Sequence, residues 1–164
     1  MNKILNLITL FIFLIFLNAC AGYKPIFKTS NLEFQIVDYS IKGDKVLGRQ
    51  IYSQLYNLSK SNKNNVNAQE VDISIEISKD KIATTKSNTG KILQYKITLN
   101  TRVIVNNYIT KNNILNQTFT SFTSYRVQSR HSETIQSENT SIENLINKTY
   151  QDLLIILSQK ISVK

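Results

Sequence analysis

Few side chains in this 164-residue chain could start a reaction. There is one cysteine, Cys20, and one histidine, His131. His131 lies in Ser129-Arg130-His131-Ser132-Glu133, a polar link before the last helix, and an imidazole beside a hydroxyl and a carboxylate invites comparison with a hydrolytic triad. Residues adjacent in sequence do not normally face one another to relay a proton, and the chain has no Gly-x-Ser-x-Gly turn. A surface histidine is therefore expected, with no catalytic residue and no enzyme activity. Glu70, Asp72 and Glu76 alternate along one strand face, whereas calcium needs oxygen ligands converging from a loop. A solvated or partner-facing strand is the simpler expectation. A single cysteine permits no intrachain disulfide and no Cys-x-x-Cys site, and Gly-rich phosphate loops and His-x-x-x-His pairs are missing. No metal and no cofactor are expected.

Cys20 is different because of what precedes it. Lys3 supplies a minimal positive start, and Ile4–Leu17 is a 14-residue apolar run broken only by Asn6 and Thr9. That is short of the roughly 20 residues of a spanning helix and fits the core of a signal peptide. Leu17-Asn18-Ala19-Cys20 then resembles a bacterial lipobox, with an aliphatic residue three before the cysteine and a small one just before it. The resemblance implies a signal peptide over 1–19, and a Cys20 that is lipidated on sulfur and becomes the mature N-terminus. A thiol suits that position as the nucleophile that can carry a thioether-linked diacylglycerol, and two or more acyl chains anchor stably where one is marginal. Ala21 follows, not Asp, which by the usual sorting pattern implies the outer membrane, with the chain anchored on its periplasmic side. An uncleaved anchor or a buried helix are the alternatives.

Net charge is +9, and Lys3 is the only charge before Cys20, so the part from Cys20 onward carries +8. Such a surface attracts anions: nucleic acid, acidic lipid head groups or phosphorylated glycolipid. Export argues against nucleic acid. Lys79, Lys81, Lys86 and Lys91 bracket one hairpin, Arg102 lies further along, and Arg126 and Arg130 follow the fourth strand. Lys86, Lys91, Arg102, Arg126 and Arg130 are the candidates for charge-assisted contacts with glycolipid phosphates. The competing reading is a charged hairpin tip that keeps sheet edges soluble.

The elements that must hold these residues read clearly. Residues 20–31 form a tether, with Pro25 disfavouring helix, and 32–164 form a single α+β domain. Leu32, Phe34 and Ile36 alternate in a strand over 32–39. Gly43 gives a turn, Asp44 an N-cap, and Leu47, Ile51, Leu55 and Leu58 the stripe of a helix over 45–60. Gly48 inside it costs about 1 kcal/mol relative to Ala, so packing must hold that turn. Val71, Ile73, Ile75 and Ile77 share one face of the next strand. Tyr95, Ile97, Leu99, Thr101, Val103 and Val105 do so in the third, and Leu115, Gln117, Phe119, Ser121, Thr123 and Tyr125 in the fourth. Lys86–Lys91 is a turn, with Gly90 free to take positive φ. Thr140-Ser141-Ile142-Glu143 has capping-box spacing and predicts the start of the last helix. Its apolar stripe is Ile142, Leu145, Ile146, Leu153, Leu157 and Ile161. The order β-α-β-β-β-α predicts a two-layer sandwich, with a four-stranded, mainly antiparallel sheet and two helices on one face.

The chain from Cys20 onward resembles the lipopolysaccharide-assembly lipoprotein family (LptE, also called RlpB), particularly its alphaproteobacterial branch. The resemblance begins at "CAGYKPIF", where Gly22, Tyr23, Lys24, Pro25 and Phe27 match and Ala21 is an insertion. "GRQIYSQLYNL" is similar to the family's first helix, "ILQYKITLNTRVIV" to its Tyr-led strand, and "FTSYRVQS" precedes a long terminal helix. No one motif is specific; the order over about 145 residues carries the likeness. It implies a non-enzymatic lipoprotein that partners and plugs a large outer-membrane β-barrel (LptD-like), helps assemble it, and delivers lipopolysaccharide to the cell surface. The basic residues above align with no family motif. The alternative is an accessory lipoprotein of another envelope machine, a lipid-trafficking transporter or a secretion pilot, since small α+β lipoproteins serve these too. A third, an envelope hydrolase, would need His131 as its base.

Overall fold

The computed structural model describes residues 32–60 and 68–161. The expected signal peptide, Cys20 and the tether through residue 31 lie outside them. Within them the order is β1 (Phe34–Gly43), α1 (Lys45–Lys60), β2 (Gln69–Lys86), β3 (Ile92–Asn107), β4 (Asn113–Arg126) and α2 (His131–Ile161). The four strands lie in the sheet in chain order, β1-β2-β3-β4. β2, β3 and β4 form an antiparallel meander joined by short turns, while β1 pairs with β2 in parallel. That parallel pair needs a crossover, and α1 supplies it.

The period-2 pattern sets the two faces. Val71, Ile73, Ile75 and Ile77 stand in register with Asn107, Val105, Val103 and Thr101, and Val105, Thr101 and Leu99 with Leu115, Phe119 and Ser121. These odd-numbered positions form the inner face, where they meet Leu47, Ile51 and Leu55 of α1 and Leu145, Ile146, Leu153 and Leu157 of α2 in one core. Each fully buried aliphatic side chain there contributes roughly 1.5–3 kcal/mol. The polar members need partners: Thr149 donates to the Leu145 carbonyl at 2.9 Å and lies 3.2 Å from the Ser121 hydroxyl, while Thr101 Oγ1 is buried with no partner among the described residues. Gln117 departs from its expected place. It faces Val103 by register yet is exposed, a polar gap between Leu115 and Phe119.

β1 begins and ends later than the 32–39 expected. A register irregularity falls between Ile36 and Asp38, and the Ile36 N–H there donates 2.9 Å to the buried Ser59 hydroxyl. Beyond it the strand runs on to Gly43, whose φ is +78°. A Cβ at Gly43 would lie 2.1 Å from the Ile77 carbonyl oxygen, so glycine is required where the chain leaves the sheet. Asp44 caps α1 as expected: its Oδ1 accepts from Val46 N–H at 3.1 Å and Leu47 N–H at 3.2 Å.

The capping box expected at Thr140–Glu143 is not a helix start. These residues sit inside α2, a single helix of 31 residues. The helix begins where Thr134 N–H donates to the Arg130 carbonyl at 3.2 Å, and the Thr134 hydroxyl accepts from Gln128 N–H at 2.9 Å, tying the entry segment to the first turn. No glycine or proline interrupts residues 131–140, so extending the helix toward its N-terminus costs far less than nucleating a new one. His131, expected in a link before the helix, is its first residue.

Candidate functional site

Four of the five basic candidates gather at one end of the sheet. Lys86 closes β2, and the turn beyond it is knit by Ser87 N–H to the Lys91 carbonyl at 2.8 Å and Gly90 N–H to the Ser87 carbonyl at 2.9 Å. Gly90 takes φ +81°, as expected. Arg126 stands opposite Gln94, and Val127 N–H donates 2.9 Å to the Leu93 carbonyl. Arg130, at the mouth of α2, lies 3.9 Å from Glu133. Lys86, Lys91, Arg126 and Arg130 are all exposed.

Arg102 stands apart, eight residues along β3 from Gln94, roughly 26 Å at strand rise. It sits between Glu76 and Thr118 and donates 3.1 Å to the Asn116 side chain. It belongs to the sheet's uncovered face, where Asn100 accepts from Thr120 at 2.9 Å and the Ser40 and Ser74 hydroxyls pair at 2.9 Å. The acidic strand residues lie on this face as well. Asp72 is 3.7 Å from Lys111, and among the described residues no cluster of metal-ligating side chains forms.

Two cationic features at the basic end escaped the sequence. Lys96 Nζ lies 4.3 Å from the centre of the Phe122 ring, which is 65% exposed, and Ile82, opposite Lys96, is 57% exposed. A basic, apolar strip therefore crosses three strands on the outer face. The even-numbered parity of the three residues was its only trace in the sequence. On the inner face Lys81 meets Glu138 of α2 at 2.5 Å, and the Tyr125 hydroxyl donates to the same carboxylate oxygen at 2.8 Å. Lys81 Nζ also lies 4.5 Å from the Tyr95 ring centre, and Tyr95 stacks on Tyr125. Partial burial would lower the Lys81 pKa, but bonds to Glu138 and Tyr125 outweigh it and hold it raised. Burial would likewise raise Glu138, and the bonds it accepts hold it below the usual value instead. Burial pushes Tyr125 up.

This constellation offers cations and apolar side chains, not a nucleophile with its base. His131 is exposed, and Ser132 and Glu133 beside it follow the helix away. No helix among the described residues is long and apolar enough to cross a membrane.

No family model matches the chain, and no curated protein matches it in sequence. Solved structures do match in fold. Lipoprotein B of Nitrosomonas europaea superposes with a TM-score of 0.60 at 14% identity, over 87% of this chain and 94% of that one. A lipoprotein candidate from Caulobacter crescentus gives 0.56 at 9% identity, over 83% and 96%. A minor lipoprotein of Acinetobacter baumannii gives 0.51 at 16%, over 74% and 90%. The chain shares its fold with bacterial lipoproteins. Those chains are covered nearly end to end.

Proposed function

We propose that this chain is a lipoprotein anchored through Cys20 on the periplasmic side of the outer membrane, where it partners and plugs a β-barrel translocon. In that role it helps assemble the barrel and deliver lipopolysaccharide to the cell surface. The observation that carries the reading is the fold shared with lipoproteins from three other bacteria, joined to a cysteine placed directly after a signal-like apolar run. Either alone would be weak, since fold does not fix function. The basic end of the sheet supports the glycolipid half of the role: Lys86, Lys91, Arg126 and Arg130 present cations, and Phe122 and Ile82 present apolar surface, as an amphiphile with anionic head groups requires. Arg102 stands at the other end of the outer face and is no part of this cluster.

Crosslinking in intact cells, followed by identification of the partner, tests the reading. The expected result is a large outer-membrane barrel, with loss of surface lipopolysaccharide on depletion. Cys20→Ser should abolish incorporation of labelled fatty acid into the chain, since Cys20 is its one thiol. Recovery of an inner-membrane ATPase complex or a secretin, with normal surface glycolipid after depletion, would assign the chain to another envelope machine instead.

A further inference from the structure

β1 stops before its neighbour does. Its last residue, Gly43, stands opposite Ile77, and Asp44 N–H donates 2.9 Å to the Ile77 carbonyl before the chain turns into α1. β2 continues from Ser78 to Lys86, paired to β3 on one side only. Successive residues of a strand aim their backbone groups to opposite sides. In β2 the odd-numbered residues aim toward β1: Gln69 N–H donates to the Glu33 carbonyl and Ile77 accepts from Asp44. The even-numbered ones aim toward β3, as Glu70 does in accepting from Tyr108 N–H. Lys79, Lys81 and Ala83 therefore hold their N–H and C=O groups out to a rim that no described residue fills, and all three are exposed. Beside Lys79 the helices part over a groove of about 770 Å³, lined by Leu47, Ile142 and Ile146 and by the charged side chains of Asp44, Arg49 and Glu143.

We propose that this rim is a strand-addition site for an extended, acidic segment of a partner protein. The segment pairs with Lys79, Lys81 and Ala83 in the place β1 vacates and lodges side chains in the groove. Backbone pairing gives such a site its affinity and the adjoining pocket its selectivity. The rim is already rigid, because β3 holds it from the other side, so little ordering opposes the added strand. Charge selects the occupant: within β2 beyond Ile77, Lys79, Lys81 and Lys86 stand against Asp80. Although Glu138 pairs with Lys81 and Asp44 and Glu143 line the groove, Lys79 and Lys86 have no ion-pair partner among the described residues and draw the acidic side chains of the segment. A second copy of this rim would set lysine against lysine, which disfavours self-pairing. The inference stands independently of anchoring and of glycolipid delivery.

The test uses the full chain in detergent micelles and a synthetic peptide, acetyl-Thr-Glu-Val-Glu-Val-Glu-Thr-amide. Saturating peptide should slow amide exchange at Lys79, Lys81 and Ala83 by about tenfold or more. The same peptide N-methylated at alternate residues, or carrying Lys for Glu, should leave exchange unchanged. Ala83→Pro removes an outward N–H without touching a β2–β3 bond, a place where strands tolerate proline. It should keep the wild-type melting curve and lose the protection. Undiminished protection in Ala83→Pro, equal binding of the methylated or lysine peptide, or no slowing at millimolar peptide would each overturn the proposal. So would a chain dimer protecting the same three amides. Should the proline variant fail to fold, the methylated peptide on the wild-type chain decides.

Discussion

Lys81, Glu138, Tyr125 and Tyr95 fasten the start of α2 to the sheet with polar contacts. Burial works against the Glu138 carboxylate, and bonds from Lys81 and Tyr125 more than offset it, so its pKa lies below the ordinary 4.5. A carboxyl group depressed on folding contributes stability that is present above its unfolded value and lost as pH falls through the folded one. Lys81, raised above 10.5, contributes stability that is full below that value and lost as pH rises through the folded one. The clamp is therefore complete through the neutral range. Glu138→Gln should cost about 1–3 kcal/mol at neutral pH, and urea denaturation at stepped pH should show a flatter acid limb below pH 4.5 than the wild type. Gly48 makes a second case. A Cβ there would lie 2.4 Å from Ile41 Cγ2, so Gly48→Ala should destabilise, the crowding cost of about 1–3 kcal/mol exceeding the roughly 1 kcal/mol gain in helix propensity. That Gly48 is held by packing was readable from its place in an amphipathic stripe. The neighbour it makes room for was not, because Ile41 comes from another element.

At the scale of elements, alternation made β3 and β4 legible nearly to the residue, and β2 from Gln69 to Ser78, since one face of each is buried there and the other is not. β2 runs on to Lys86, where both faces are exposed and no alternation marks it. α1 was legible from its cap and stripe together. The first third of α2 was not, and the reason is physical. Between His131 and Ser141 it buries only Thr134 and brings only the Glu138 carboxylate into the clamp, so no apolar stripe marks it. The same poverty sets its dynamics. Amides of residues 135–141 should exchange with solvent well before those of 145–157, which rest on Leu145, Ile146, Leu153 and Leu157, and hydrogen exchange followed by mass spectrometry would resolve the two. Equal protection along the helix would show the polar clamp to be as strong as the apolar contacts. The parallel pairing of β1 was also hidden, because a strand's own pattern does not record the direction of its neighbour.

For the whole molecule, the anchor proposed at Cys20 rests on the sequence alone, on the apolar run before it. The basic cluster needs the meander, which brings Arg126 and Arg130 beside a turn some forty residues earlier and sets Arg102 apart. Charge count could not make that division; register did.

The in-order sheet with its one parallel pair also imposes a sequence of events on folding. β2, β3 and β4 close through short local turns, and their pairing is inexpensive in chain entropy. β1 finds β2 only after α1 and the following connection are in place, so Gln69 N–H meets the Glu33 carbonyl across 36 residues. The meander with α2 should form the nucleus, and the β1–α1 unit should arrive last. Stopped-flow experiments would show it as a difference in where mutations act: Val103→Ala should slow folding, with φ of roughly 0.5–0.8, whereas Leu55→Ala should mainly hasten unfolding, with φ of roughly 0–0.3. A nascent chain tethered at its N-terminus would then hold its first strand unpaired longest, beside the membrane, until the meander arrives to receive it.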